Sequence, residues 1–160
     1  MEPIQAATVV LALLVVSTVL GLLWRLRQGR VRAAGGAEVI RAADVGASVD
    51  FGVRATLLQF STEFCARCPG TRRLLGQAAD TRSGVAHVDV DLTHRAELAT
   101  RYNIFQTPTT LILDGAGRVR ARVGGVPHRA EIDRQLDELT GVTTSSPVPS
   151  TLRSRNVRTE

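Results

Sequence analysis

The sequence holds only two cysteines, Cys65 and Cys68, and no lysine. Two cysteines three positions apart leave no partners for a framework of structural disulfides, so the sulfur chemistry of the chain sits in that one pair. The absence of lysine leaves arginine to carry the positive charge. With Ala, Gly, Val and Arg dominant, this fits the codon bias of a GC-rich genome, and no function follows from it. A basic stripe is also missing: thirteen arginines stand against thirteen acidic residues over 38–141. The net charge of +5 comes from Arg25, Arg27, Arg30 and Arg32 and from Arg153, Arg155 and Arg158 in the tail, less Glu2 and Glu160. A formally neutral domain offers no electrostatic footprint to a phosphate backbone, which argues against nucleic acid as a partner. No internal repeat is visible, and 160 residues leave room for one ordinary domain plus accessories.

Charge is absent altogether from residues 3–24, PIQAATVVLALLVVSTVLGLLW. Twenty-two helical residues rise about 33 Å, enough for a hydrocarbon core. A core helix apolar on every side would need a larger domain to cover it. A cleaved signal peptide would open on basic residues and end in small ones, whereas here the arginines follow the run. The expectation is a retained single-pass anchor over 1–27, in contact with the lipid bilayer of the cell membrane, with Trp24 at the interface. Residues 28–37 read as a basic juxtamembrane linker. Four arginines after the span and none before it put the rest of the chain on the cytosolic side by the positive-inside rule, with the extracytoplasmic side as the alternative.

From residue 38 to 141 short apolar runs alternate with helical periodicities, and the coarse order is β-α-β-α-β-β-α. Strands are expected over 55–60 (ATLLQF) and 85–90 (VAHVDV). A helix over 66–81 carries Leu74, Leu75, Ala78 and Ala79 on one face, and a second over 93–102 sets Leu98 and Tyr102 four apart. Strands over 109–113 and 119–123 form a hairpin across Asp114-Gly115-Ala116-Gly117. The last helix, 129–139, buries Ile132, Leu136 and Leu139 and ends at Gly141, a natural C-cap. Residues 142–160, rich in Ser, Thr, Pro and Arg, read as a disordered tail.

Phe64-Cys65-Ala66-Arg67-Cys68-Pro69 falls directly after a strand and at the start of a helix. Free N–H groups and the macrodipole at a helix N-terminus stabilise a thiolate, so Cys65 is the candidate nucleophile. Cys68 stands close enough to attack a mixed disulfide on Cys65 and is the candidate resolving thiol. Arg67 adds a cation that lowers a thiolate's pKa further. A zinc site is the rival reading, with His87, His94 and His128 available to complete a tetrahedron. None of the three forms a second close ligand pair, and no metal is expected. No other cofactor is implied. The second element is Gln106-Thr107-Pro108-Thr109, with Pro108 at a strand's first position, where its missing N–H is tolerated.

Taken together, LLQFSTEFCARC, VAHVDVD, YNIFQTPTTLILDGAGRVRARVGG and the terminal amphipathic helix resemble the thioredoxin family over about residues 53–140. With the anchor, the chain looks like a membrane-anchored bacterial thioredoxin-like protein. The resemblance implies an α/β thioredoxin-like fold, a central mixed sheet flanked by helices, over 38–141. It also implies attack by Cys65, resolution by Cys68, and a substrate groove formed by Phe64, Thr107, a cis-Pro108, Val123 and Gly124. Partners would be protein disulfides or dithiols and a separate thiol electron donor or acceptor. The departures are Phe64 in place of the usual tryptophan, Gln59 in place of the buried aspartate, and Ala66-Arg67 between the cysteines. Glu63 and His87 are candidates to stand in for the missing acid, and the direction of electron flow stays open. The N-terminal strand and helix of the family are expected to be reduced or absent. The functional expectation is a membrane-tethered thiol–disulfide oxidoreductase; the alternative is a non-catalytic thioredoxin-like interaction module with a redox-sensitive cysteine pair.

Overall fold

The computed structural model describes residues 3–27, 29–35, 38–46 and 50–141, so the expected tail over 142–160 lies outside the described residues. In chain order the elements are α1 (Pro3–Arg27), β1 (Val31–Ala33), a 3-10 turn (Ala42–Val45), β2 (Ala55–Ser61), α2 (Cys68–Asp80), β3 (Val85–Asp91), α3 (Ala96–Arg101), β4 (Thr109–Asp114), β5 (Val119–Gly124) and α4 (Arg129–Thr140).

Five strands form one mixed sheet in the order β1-β5-β4-β2-β3, with β2 and β3 parallel and the other neighbours antiparallel. Every residue of β2 is buried, because the strand is covered on both faces, and its sequence therefore runs near-continuously apolar. Leu58, Phe60, Leu111 and Leu113 point to one face, where Val45 of the 3-10 turn, Leu98 and Tyr102 cover them. Leu57, Ile112, Ala121 and Val123 point to the other, under Leu75 and Ala78 of α2 and Ile132 and Leu136 of α4. The hairpin between β4 and β5 is held by Asp114, whose Oδ1 accepts from the N–H groups of Ala116 and Arg118. Gly141, in the left-handed region at φ 70°, ends α4.

Three expectations change. Residues 31–33, read as linker, are the edge strand β1, paired with β5 from Val31↔Val123 to Ala33↔Ala121. Three residues carry too short a pattern to be seen, and pairing along β5 supplies what sequence pattern does not. The helix expected over 93–102 is only Ala96–Arg101, because Oδ1 of Asp91 accepts from both the N–H and the hydroxyl of Thr93 and holds a turn there. α2 starts at Cys68 rather than at residue 66, with Pro69 in its first turn, where no backbone N–H is needed. Between α1 and β2 the described elements are β1, which lies on the β5 edge of the sheet and not beside β3, and the 3-10 turn.

The backbone of α1 is helical over 25 residues. Its described side chains, those of residues 4, 5 and 7–23, are all exposed. Among the described residues no helix is long and apolar enough to cross a membrane. The transmembrane span expected over 1–27 is therefore not supported by the structure.

Candidate functional site

β2 delivers the chain at Ser61 to the C-terminal edge of the sheet, and residues 62–67 turn back before α2 begins. Two backbone bonds shape that turn, Cys65 N–H to Thr62 O at 3.1 Å and Cys68 N–H to Cys65 O at 3.1 Å. Cys65 and Cys68 are joined by a disulfide with their Cα atoms 5.4 Å apart. The two sulfur residues differ in access: Cys65 is half-buried, whereas Cys68, the first residue of α2, is 3% exposed. Arg67 occupies the N-cap position, is exposed, and offers no side-chain cap to α2. The free donors at the head of the helix therefore lie beside the disulfide. Phe64, immediately before the pair, is 85% exposed.

The second wall is the loop before β4. The Thr107–Pro108 peptide is cis, Pro108 is buried and Thr107 half-buried. The Thr107 hydroxyl lies 3.4 Å from the Thr62 hydroxyl, which brings this loop against the cysteine turn. The Pro108 carbonyl accepts from Gly125 N–H at 2.8 Å, so the end of β5 closes the same corner. A Cβ at Gly124 would stand 2.4 Å from Nε2 of Gln106, the far end of an exposed side chain that would have to move aside. Val123 belongs to the neighbourhood by its backbone alone, since its side chain is packed in the core under α2 and α4. Among the site residues expected from sequence, Cys65, Cys68, Phe64, Arg67, Thr107, Pro108 and Gly124 converge here, and the side chain of Val123 points away.

Beneath the pair lies Gln59, fully buried. Its Nε2 donates to the Cys68 carbonyl at 3.3 Å, and its Oε1 stands 3.2 Å from Nε2 of His87 on β3. Burial, the largest influence, holds the His87 imidazole below its ordinary value; Asp89 and Asp80 pull it up and Arg72 pushes it down. Glu63, the other candidate to replace a buried acid, is exposed and meets Thr93 through its backbone N–H. His94 and His128 are exposed. Among the described residues no group of three or more His, Cys, Asp or Glu side chains is arranged to hold a metal ion.

Sequence reasoning missed Phe105, 92% exposed on the loop that carries Pro108, and Gln106, whose side chain packs on Gly124. The sequence carried no signal for Phe105, since its neighbour Ile104, equally outside any strand or helix, is buried in the core. It also missed Gly29, whose N–H donates to Gly124 O at 2.9 Å and whose φ of 76° suits glycine. A Cβ at Gly29 would stand 2.4 Å from the Val126 carbonyl oxygen.

Solved structures resemble this arrangement as a fold. A chloroplastic thioredoxin z superposes with a TM-score of 0.50 at 22% identity, over 56% of this chain and 80% of that one. A point-mutant thioredoxin from Halobacterium salinarum NRC-1 gives 0.48 at 18% identity, over 54% and 75%. A thioredoxin-like protein from Clostridium perfringens gives 0.47 at 24%, over 55% and 72%. No curated relative matches the chain. The family model described as Thioredoxin matches residues 42–138, which include the cysteine turn, Gln59, the Pro108 loop and β5; more than half of the chain is matched, and the chain belongs to the thioredoxin family.

Proposed function

We propose that the protein is a membrane-tethered thiol–disulfide oxidoreductase acting on protein substrates. The observation that carries the reading is the asymmetry of the pair: Cys65 is accessible at the head of α2, and Cys68 is covered. In the reducing direction Cys65 thiolate attacks a substrate disulfide and forms a mixed disulfide, releasing one substrate thiolate. Cys68 thiolate then attacks Sγ of Cys65, and the second substrate thiol leaves. Two electrons pass to the substrate, and a separate thiol donor restores the dithiol. In the oxidising direction each step reverses. The exposed rings of Phe64 and Phe105 and the Pro108 loop supply the contact surface for a substrate chain.

The tether rests on the sequence. No charged side chain occurs over 3–24, the backbone is helical over Pro3–Arg27, and the described Val and Leu side chains of α1 are exposed on all sides. Arg25, Arg27, Arg30 and Arg32 support a cytosolic domain.

Replacing Cys68 with Ser and isolating covalent adducts from cells tests the chemistry. Mixed disulfides on Cys65 are expected to accumulate, and their absence favours the non-catalytic interaction module. Retention in the membrane pellet after alkaline extraction tests the tether. Protease treatment tests the side: protection in intact cells together with cleavage in inverted vesicles is expected, and the opposite pattern places the domain outside.

A further inference from the structure

Gln59 has both ends of its carboxamide occupied. Because an amide has fixed polarity, giving its N–H to the Cys68 carbonyl leaves an acceptor facing His87. His87 Nε2 therefore carries a proton and donates it to Gln59 Oε1. The remaining lone pair of the ring is on Nδ1, which lies under α2, 4.0 Å from where a Cβ on Gly76 would stand. A proton arriving at His87 goes to Nδ1 and leaves the bond to Gln59 in place.

The surroundings set the demand for that proton. Burial disfavours the imidazolium most strongly; Arg72 of α2 opposes it too, and Asp89 of β3 and Asp80 of α2 favour it. Asp89 is itself paired with Arg72, and β2 contributes the neutral amide of Gln59. In the disulfide state both sulfurs are neutral, so nothing at the head of α2 offsets the burial of a cation. Reduction to a Cys65 thiolate adds a negative charge to the site that the contacts Cys68–Gln59–His87 join to the imidazole, through the Cys68 carbonyl.

We propose that His87 is the proton-coupled residue of the disulfide site: reduction of the Cys65–Cys68 bond places a proton on His87 Nδ1, with Gln59 as the positioning residue between them. The proposal rests on the redox reading above. A dithiol donor brings two electrons and two protons and leaves as a disulfide. The Sγ–Sγ bond breaks, Cys65 becomes a thiolate, Cys68 takes one proton as a thiol, and the second proton goes to Nδ1. Oxidation reverses each transfer. By linkage, protonation of His87 favours the reduced pair by the same factor as reduction favours the imidazolium.

The test is an NMR titration of the His87 imidazole in the full-length protein in detergent, assigned through bonds, in the disulfide and the dithiol forms. The midpoint is expected to be higher in the dithiol form, equivalent to roughly three- to tenfold in proton affinity, and the difference is expected to shrink in Gln59→Leu. A purely structural histidine would titrate alike in both forms. Equal midpoints in a protein that exchanges with glutathione overturn this proposal alone, without any variant that has to fold. A protein that fails to exchange with glutathione at any pH overturns the redox reading, and this proposal with it.

Discussion

Just beyond its C-terminal end α2 is tied down by Arg82, whose guanidinium reaches Asp133 at 3.0 Å and Asp137 at 2.9 Å on α4. At its N-terminal end the same helix has no side-chain cap, begins with a disulfide-bonded cysteine and is preceded by an exposed phenylalanine. A cleft of about 650 Å³ bordered by Arg54, Arg82, Arg129 and Asp133 lies at the tied end, away from the disulfide. One end therefore spends its polar groups on holding two helices together, whereas the other leaves donors and apolar surface unspent. The difference teaches that the two ends of one helix divide between structure and exposure: the tied end joins two helices, and the disulfide sits where the helix is uncapped.

That contrast can be broken at either end. The largest effect on stability is expected from Arg82→Ala, which takes a shared cation from two carboxylates on α4 and costs about 2 kcal/mol in denaturant unfolding; its thiol exchange should match the parent's, and a matching loss of exchange would erase the distinction. Gly29→Ala forces a Cβ onto the Val126 carbonyl at a positive φ, and about 1 kcal/mol is expected to be lost, read as a lower midpoint in urea. Lowering the pH is expected to do less. Burial holds His87 below its ordinary value of 6.5, so the unfolded chain binds that proton more readily. Stability on this account is complete above pH 6.5 and declines as the pH falls through the lower native value. His87→Gln should flatten thermal unfolding over that window. Phe64→Ala should change stability least, by less than ~0.5 kcal/mol, because its ring is in solvent. Its exchange with a protein disulfide should nonetheless slow several-fold while exchange with glutathione holds, and equal slowing of both would deny Phe64 a role in substrate contact.

What was legible in the sequence follows from range. β4, β5 and α4 could be read because local chemistry bounds them: the Asp114 turn between the strands, Gly141 after the helix. Cys65 and Cys68 are near in sequence, and their place after an apolar run locates them. The link between Gln59 and His87 could only be guessed, because it depends on parallel register. Pairing of Leu57 with His87 and of Gln59 with Asp89 makes residues 59 and 87 diagonal neighbours on one face, and a shift of one residue would separate them. The bond from Gly29 to Gly124 is longer in range still, and no pattern around residue 29 announces it. The inward turn of Val123 was legible in the alternation of β5, where Arg120 and Arg122 lie on the opposite face to Ala121 and Val123, but the family resemblance drew attention to its backbone neighbourhood instead.

The bond from Gly29 to Gly124 also fixes how far the site can reach. In sequence one residue separates the end of α1 at Arg27 from Gly29, so two Cα steps, about 7 Å, are all the leash there is. A long flexible leash would let a redox domain sample many partners at low local concentration. Under the tether proposed above, the chain would enter the domain beside Gly124, and whatever held α1 would meet the domain at high effective concentration, so that neighbourhood would be the first filter on its partners.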